Sequence, residues 1–597
     1  MLDISYLRKT NHQIISIGSH PGILQSMMDF DYLSGKSEPD LKAIIASGKK
    51  FLRLFWGGQE KLIPIYGSLQ AIPDALKRET SLFLNLTSGR RSMSSTLEVL
   101  SGFPHLVGGT LFAENIPEKN TLDIYQHIGK KQFIVGPSSV GLLIPGHLKL
   151  GAIGGTQAKQ LLGADLFEPG NIAVFSSSGG MTNELINLVT GAGKRISFSL
   201  SFGGDRFPLL TPIDAFRAAE KDKDTESIVY FGELGGYDEY DLVELIKAKK
   251  ITKKIITYIG GTISEMFETP PQFGHAKAMA ARGEETAQAK TAALKAVGVH
   301  ATSSFTEFIK LVQSLPDEKK KPNNEREKMV KEMSHRTASY FINGISHDKD
   351  GSVEILGKDL LSLATEHSYG YVVGSMLLGR QLKSKNTAEF IDLVMKLLVD
   401  HGPYVSGAVN TMISARAGKD LVSSVVSGLL TIGPRFGGAI NQAAKHWLEG
   451  VEAQVSPYDY VESIAKKRGI ISGIGHKKYR VDAPDPRVSL IIGFTKELKQ
   501  TSYTDFATEV EKITTAKKGN LILNIDGAIA AVLLDLLSEK EGLTEKELLE
   551  LVDAEFFNAF FVLSRAVGFT AHYLDQKRRD EGLFRLSPKE INYIDKL

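Results

Sequence analysis

The most constraining feature of this chain is a change of periodicity across residues 315–333, LPDEKKKPNNEREKMVKEM. Before it, short apolar runs alternate with stretches of helical spacing. After it, strand signals nearly vanish and apolar residues recur at the 3.6-residue period. The break is dense in charge and carries Pro316 and Pro322, so it reads as a solvated linker with a helix start near Glu325. The chain is expected to be α/β up to the break and all-α beyond it.

On the N-terminal side the expected strands are Ile14–Ile17, Leu82–Leu86, Phe133–Val135, Ile172–Phe175, Ile228–Phe231 and Ile255–Ile259, each followed by a turn containing Gly, Ser or Pro. Such βα alternation predicts parallel sheets with ligands at the C-terminal strand ends. The region is too long for one sheet, and a boundary near 150–168 gives two. The expected division is 1–155, 156–314, the linker 315–333 and a helical domain 334–597, in line with the roughly 150 residues of an ordinary domain. Helices are expected at 353–382, 386–400, 419–431, 438–450, 457–468, 503–517, 527–538 and 544–565. The segments LVSSVVSGLLTIG and AIAAVLLDLL are apolar nearly all round, which suits the interior of a large helical domain or an oligomer interface.

Lys+Arg total 71 and Asp+Glu 69, a net charge of +2. No global field argues for a nucleic-acid or anionic-membrane partner. No 18-residue uncharged apolar stretch exists, and the run Ile14–Ile17 is too short for a signal-peptide core, so a cytoplasmic protein without a membrane partner is expected. The chain has no cysteine, which excludes disulfides, thiolate metal sites and cysteine nucleophiles; no resident metal is expected. Glycine, at 57 residues, is in excess, as where backbone turns tightly or approaches a ligand.

Three glycine-rich turns carry the chemistry of the first half. NIAVFSSSGGMTNELINLV is a strand, then Ser176–Gly180, then a helix from about Thr182. Unpaired N–H groups at the helix start, close backbone approach at Gly179 and Gly180, and the hydroxyls of Ser177 and Ser178 form a cradle for phosphate or carboxylate. SIVYFGELGG puts Glu233 at a strand end, and His275 follows the next strand in PPQFGHAKA. All three turns belong on one sheet edge. An imidazole, a carboxylate and an anion cradle suit a histidine that carries a phosphoryl group, with Glu233 binding one ring nitrogen and leaving the other nucleophilic.

SSSGGMTNE, GELGG and QFGHA resemble the phosphohistidine module of succinyl-CoA synthetase-type ligases. Upstream, MMDFDY, FWGGQEKLIPIY, AENIP and GPSSVGLLIPGHLKLGAIGG are similar to the CoA-binding domain of that superfamily. The details are most similar to the C-terminal part of ATP-citrate lyases. The resemblance implies a Rossmann-like CoA-binding domain, then a flavodoxin-like ligase domain. It implies that His275 is phosphorylated with Glu233 as its partner, that the helix from Thr182 faces the phosphate, and that Ser88, Arg90 and Ser92 lie near CoA.

In the second half, VDHGPYVSG holds His401, SGIGHKKYRVDAPDPR holds His476 and Arg487, NLILNIDGAIA holds Asp526, and FVLSRAVGFTAHYLDQKR holds Arg565. Asp526, behind Asn524 in an apolar run, needs partners or a function. Together these segments resemble citrate synthase, which implies a mainly helical domain that splits citryl-CoA by a reverse Claisen step. The resemblance implies His476 at the thioester oxygen, Asp526 protonating carbon, and Arg487 and Arg565 on substrate carboxylates. His401 would contact the substrate hydroxyl or a carboxylate. Lys517 and Lys518 are expected at CoA phosphates, with Lys477 and Lys478 as alternatives. Phe436 stands where citrate synthase has histidine, as in ATP-citrate lyases, and Val409 stands where the lyase has histidine.

No ATP-grasp domain is identifiable. The resemblance therefore implies CoA as a substrate here, ATP and Mg²⁺ on a separate ATP-grasp subunit, and a homotetramer core built through the C-terminal domain. Two other readings stay open: a stand-alone citryl-CoA lyase or citrate synthase-type enzyme with a vestigial ligase half, and a non-catalytic assembly subunit.

Overall fold

Seven strands form the first sheet, in the spatial order Phe51–Trp56, Gln59–Tyr66, Leu41–Ile45, Ile14–Ile17, Leu82–Asn85, Gly108–Leu111 and Phe133–Val135. All pairings are parallel except the hairpin Phe51–Trp56/Gln59–Tyr66. Numbered along the chain, the parallel strands run 3-2-1-4-5-6, the doubly wound order of dinucleotide-binding folds. Ile14–Ile17 and Leu82–Asn85 are buried at every position, which is why they read as apolar runs; Gly108–Leu111, equally buried, was not expected, because its Gly-Gly-Thr-Leu sequence carries no such run. The hairpin was not expected, because its strands are only partly buried and interleave Arg53, Glu60 and Lys61 with apolar residues.

The computed structural model describes residues 2–268, 271–316, 324–349, 351–433 and 436–594. It divides into two compact units, Met1–Tyr340 and Phe341–Leu597. Within the first unit a second sheet follows, in the order His300–Thr302, Lys254–Gly260, Ser227–Glu233, Ile172–Ser176, Ile196–Ser201, Gly141–Ile144 and Leu148–Gly151. Its parallel strands run 2-1-3-4-5 along the chain, the flavodoxin-like order. The last two strands extend it as an antiparallel hairpin. The change of sheet thus falls between Val135 and Gly141, earlier than the expected boundary at 155. A Cβ on Gly141 would lie 1.8 Å from the Leu150 carbonyl oxygen, so only glycine lets the hairpin close. Helix Pro21–Leu33 packs on this hairpin, and Leu24, Met27, Leu148, Leu150 and Phe198 belong to one core.

Part of the expected linker is a docked helix, Asn324–Met333, with Val330 and Met333 buried against Phe30, Leu33 and Phe167. Arg326 donates to Glu168 at 3.1 Å and to the Leu33 carbonyl at 2.9 Å. The charge of this stretch hid an apolar stripe. Residues 317–323 of the expected linker lie outside the described residues.

The second unit is built round helix Ile525–Glu539, buried at almost every position. Helices Ala439–Glu452 and Ser502–Lys517 flank it, and the buried Trp447 indole donates to the Gly527 carbonyl at 3.1 Å. Each fully buried Leu, Ile or Val of this helix contributes about 1.5–3 kcal/mol. By contrast the helix Leu421–Leu429 turns apolar residues outward, with Val422 69% and Leu430 80% exposed.

Three expectations for this half are corrected. The span 353–382 is not one helix: an antiparallel sheet, Ser346–Lys349, Ser352–Ile355 and Lys358–Asp359, precedes helices Leu360–Glu366 and Tyr369–Leu378. Gly351, Leu356 and Gly357, all at positive φ, reverse the chain, and the Ser368 hydroxyl caps a new helix by accepting from the Tyr371 N–H. The span 544–565 breaks at Glu555, φ 58°, into Glu545–Asp553 and Phe556–Arg579. Helix Ser406–Arg416 was not expected. Among the described residues no helix is long and apolar enough to cross a membrane.

Candidate active sites

The strand order of the second sheet reverses between Ile172–Ser176 and Ser227–Glu233, which pair in parallel. Ligands bind outside the strand ends at such a point. After the first strand, Ser178 caps helix Gly179–Gly191 by accepting from the Met181 N–H, and the N–H groups of the first turn have no intrahelical acceptor. At the end of the second strand, Glu233 accepts from the Ser177 hydroxyl at 3.0 Å. Both Glu233 oxygens lie 2.9 Å from His275 Nδ1.

With Nδ1 donating to Glu233, the lone pair of a neutral ring is on Nε2. The hydrogen bond that Nδ1–H donates to Glu233 raises the His275 pKa above its ordinary 6.5, burial opposing. A Cβ on Gly204 would meet the ring at 2.4 Å, so glycine is what lets the imidazole seat there. His275, Ser178, Gly179 and Gly180 line a cavity of about 660 Å³ together with Ser88 and Glu114 of the first sheet's loops. The arrangement sets a nucleophilic nitrogen beside a helix terminus able to hold a phosphoryl-sized anion.

The residues expected near CoA separate. Ser88 lines this cavity and precedes helix Gly89–Gly102. Ser92 is buried and donates its hydroxyl to the Ser88 carbonyl at 3.0 Å. Arg90 is exposed and lines neither this cavity nor the one at the ends of Ile14–Ile17 and Leu41–Ile45. Its neighbour Arg91, which sequence reasoning passed over, joins Ser94 and Ser95 in a cavity of about 310 Å³ at the ends of Ile14–Ile17 and Leu41–Ile45. Arg91 is exposed as well; one residue along a helix is a rotation of about 100°, and the motif NLTSGRRS does not say which arginine borders the cavity.

In the second unit, His401, His476, Arg487, Asp526 and Arg565 line a single cavity of about 300 Å³, with Phe436 and Phe561 as its apolar wall. The backbone N–H groups of Lys478 and Tyr479 both donate to His476 Nδ1 at 3.0 Å. That places the ring proton on Nε2. Burial lowers the His476 pKa, Arg487 and Lys478 adding to it, so the ring is a neutral N–H donor. Asp526 stands in the first turn of Ile525–Glu539, capped by the Asn524 side chain at 3.1 Å from the Gly527 N–H. Burial raises its pKa to about 6, against the pull of Arg487 and Arg565.

The two arginines differ. Arg487 is already paired with Asp485, Nη2 to Oδ2 at 2.7 Å and Nε to Oδ1 at 3.0 Å. Arg565 is 4% exposed, lies 4.7 Å over the Phe561 ring, and its Nε and Nη1 are buried without a hydrogen-bond partner. Burial lowers its pKa. An unsatisfied buried guanidinium is costly unless an anion completes it. Burial also lowers the His401 pKa, with Arg565 and Arg487 contributing.

Val409 does not line the cavity, whereas Val405, one turn earlier, does. Lys517 pairs with Glu462 at 2.6 Å and Lys518 ends helix Ser502–Lys517; neither lines the cavity. Arg435 of the RFGGA motif lies outside the described residues. Among the described residues no cluster of three or more His, Asp or Glu is arranged to hold a metal ion. Asp485 and Phe561, which position the two arginines, went unnoticed in the sequence. Asp485 is visible there only as a Pro-flanked aspartate, and Phe561 only as one aromatic in an apolar helix.

The family model for the citrate synthase C-terminal domain matches residues 233–587. "Probable ATP-citrate synthase subunit 1" of Schizosaccharomyces pombe is 37% identical over 97% of this chain and 96% of its own length. "ATP-citrate synthase" of Mus musculus is 36% identical over 97% of this chain, which spans 54% of the mouse protein. The solved structure of ATP citrate lyase from Methanothrix soehngenii in complex with citrate and coenzyme A matches with 34% identity, 98% of both chains covered and a TM-score of 0.50. These likenesses run through both units and include the segments that line the cavities. The chain belongs to the ATP-citrate synthase, or ATP citrate lyase, family.

Proposed function

We propose that this chain cleaves citrate with CoA to acetyl-CoA and oxaloacetate, driven by ATP that a separate ATP-grasp subunit binds with Mg²⁺. His275 Nε2 takes the phosphoryl group from ATP as ADP leaves. Glu233 holds the Nδ1 proton, and the N-terminus of helix Gly179–Gly191 holds the phosphate. The phosphoryl group passes to a citrate carboxylate, and the CoA thiolate displaces phosphate to give citryl-CoA. In the second unit Arg565 and Arg487 grip the carboxylates. His401 accepts the hydroxyl proton and the carbon–carbon bond breaks. The electron pair moves into an enolate whose oxygen accepts a hydrogen bond from the His476 Nε2–H, the proton staying on the ring, and Asp526 delivers a proton to carbon. Oxaloacetate and acetyl-CoA result.

The observation that carries this reading is the buried Arg565 guanidinium, its Nε and Nη1 without a hydrogen-bond partner, in one cavity with His476 and Asp526. A solved ATP citrate lyase from Methanosaeta concilii in complex with (3S)-citryl-CoA, 34% identical over 98% of this chain, supports that ligand. The Ser177–Glu233–His275 chain of bonds favours a working ligase half over a vestigial one. The fission-yeast relative is a subunit 1, and the Arabidopsis thaliana relative, 35% identical over 96% of both chains, is a beta chain; both support a partner subunit. The outward apolar face of Leu421–Leu429 supports a homotetramer core. The near-zero net charge supports a protein with neither a nucleic-acid nor an anionic-membrane partner, and the same reading places it in the cytoplasm. The same reading keeps a CoA-binding domain, a ligase domain ending near 314 and a lyase domain from 334.

The deciding experiment supplies citryl-CoA to the purified chain without ATP and follows oxaloacetate by a coupled dehydrogenase. Cleavage is expected from the chain alone, and ATP-driven citrate cleavage only with the ATP-grasp subunit present. No cleavage of citryl-CoA by the folded protein would overturn the reading.

A further inference from the structure

Beneath the His275 site lies a buried cation that the chemistry above does not use. The Lys290 side chain is 1% exposed and its partner Glu239 4%. From helix Ala287–Ala296 the Lys290 ammonium donates to the Glu233 carbonyl at 2.8 Å, the Gly235 carbonyl at 2.5 Å and Glu239 Oε2 at 2.6 Å. Glu239 Oε1 in turn accepts from the Tyr230 hydroxyl at 2.8 Å. All three donors of the ammonium are spent, two of them on the turn that carries Glu233.

The upper side of that turn bears the histidine loop. Gly235 has φ +88°, and a Cβ there would lie 2.1 Å from the Lys277 carbonyl oxygen. Lys277 also pairs with Asp238, and the Gly235 N–H donates to the Glu285 carbonyl at 2.8 Å. Buried ion pairs are poor sources of net stability compared with apolar residues of the same size. A fully satisfied one tied to two carbonyls of one turn, two residues apart, specifies a backbone conformation instead.

We infer that Lys290 is a positioning residue for the Glu233–His275 couple: by holding the Glu233 and Gly235 carbonyls it fixes the direction of the Glu233 carboxylate and hence which His275 nitrogen is free to react. The inference rests on His275 as the phosphoryl carrier. A bond of 2.9 Å to both carboxylate oxygens tolerates little rotation of the strand end. The charged groups facing His275 are Glu233, Glu114 and Asp205. Those around Lys290 are Glu239 and, beyond it, Tyr230 and Asp238. Glu233 supplies the leading influence on the imidazole, so loosening it leaves a measurable trace.

The test uses the full chain alone, with diethyl pyrocarbonate as the probe. The rate of acylation at His275, read by peptide mass spectrometry against pH, reports the titration midpoint and nucleophilicity of the ring. In Lys290→Met the midpoint is expected to fall by about half a pH unit or more. The double variant Lys290→Met/Glu239→Gln removes the opposing charge and restores a neutral, packed site. Its midpoint is expected to stay lowered, because the bonds to the two carbonyls remain absent. Cleavage of supplied citryl-CoA is expected to stay within twofold in both variants, and an unchanged circular-dichroism spectrum with a limited-proteolysis pattern like the wild type's over Met1–Tyr340 checks that the unit carrying Lys290 is folded. A wild-type midpoint in the single variant, or recovery of it in the double, would mean that Lys290 only compensates Glu239, and the inference falls. Failure of His275 to accept phosphate from ATP would overturn the functional reading instead and leave this measurement intact.

Discussion

Replacing Asp526 by Asn should move stability and activity in opposite directions. The carboxyl titrates at about 6 in the folded chain against an ordinary 3.8, burial being the leading cause. The folded state therefore holds its proton more tightly than the unfolded chain does, and ionising it destabilises the fold. That destabilisation is absent below 3.8, grows between 3.8 and about 6, and is constant above. The full difference corresponds to about 3 kcal/mol. Asn does not ionise and can keep most of the local polar contacts. Asp526→Asn should then raise the melting temperature of the helical unit at pH 8 by roughly 5–10 °C, a gain that fades as the pH falls from about 6 and is gone below 3.8. The same variant lacks the acidic proton, so cleavage of supplied citryl-CoA should drop by roughly 10²–10⁴-fold. In the wild type the rate should decline as the pH rises through about 6, the value at which Asp526 ionises. Thermal melts by circular dichroism at pH 4 and pH 8, with coupled oxaloacetate assays, measure both effects. A variant that cleaves at the wild-type rate, or melts lower at pH 8, would refute the reasoning.

The two chemical steps should separate by mutation. His275→Ala should abolish ATP-driven citrate cleavage yet leave cleavage of supplied citryl-CoA within twofold, whereas His476→Ala should retain acid-labile phosphate on His275 and form no acetyl-CoA. Gly204→Ala places a methyl group 2.4 Å from the His275 ring, so phosphorylation of His275 by ATP and the partner subunit should slow by at least about tenfold with the helical unit unaffected. Arg565→Leu removes a buried charge whose Nε and Nη1 are unpartnered. It should leave thermal stability unchanged or higher while weakening citryl-CoA binding by about 2–5 kcal/mol, about 30-fold or more in Kd.

What the sequence by itself determined is local. Unbroken apolar runs at Ile14–Ile17 and Ile172–Ser176 marked strands buried on both faces, and the 3.6-residue period beyond the charged break marked a helical unit, because both patterns repeat over a few residues. The Ser-Ser-Gly-Gly turn was legible for the same reason, since a helix start needs those side chains within one turn, whereas the Asn524 cap emerged only in the structure. Partners far apart in the chain were decided by the tertiary structure. The pairing of His275 with Glu233 was anticipated from the convergence of three turns, but that the Ser177 hydroxyl also reaches Glu233, across 56 positions, was not. Arg91 rather than Arg90 faces a cavity. Arg487 is neutralised by Asp485 while Arg565 lies on Phe561 with two nitrogens free. The strands of 346–359 close on each other where short helical periodicity was expected. In each of these cases the outcome turns on burial and on which neighbour the fold brings within hydrogen-bond reach. Those are properties of packing, and a side chain's own sequence context carries no record of them.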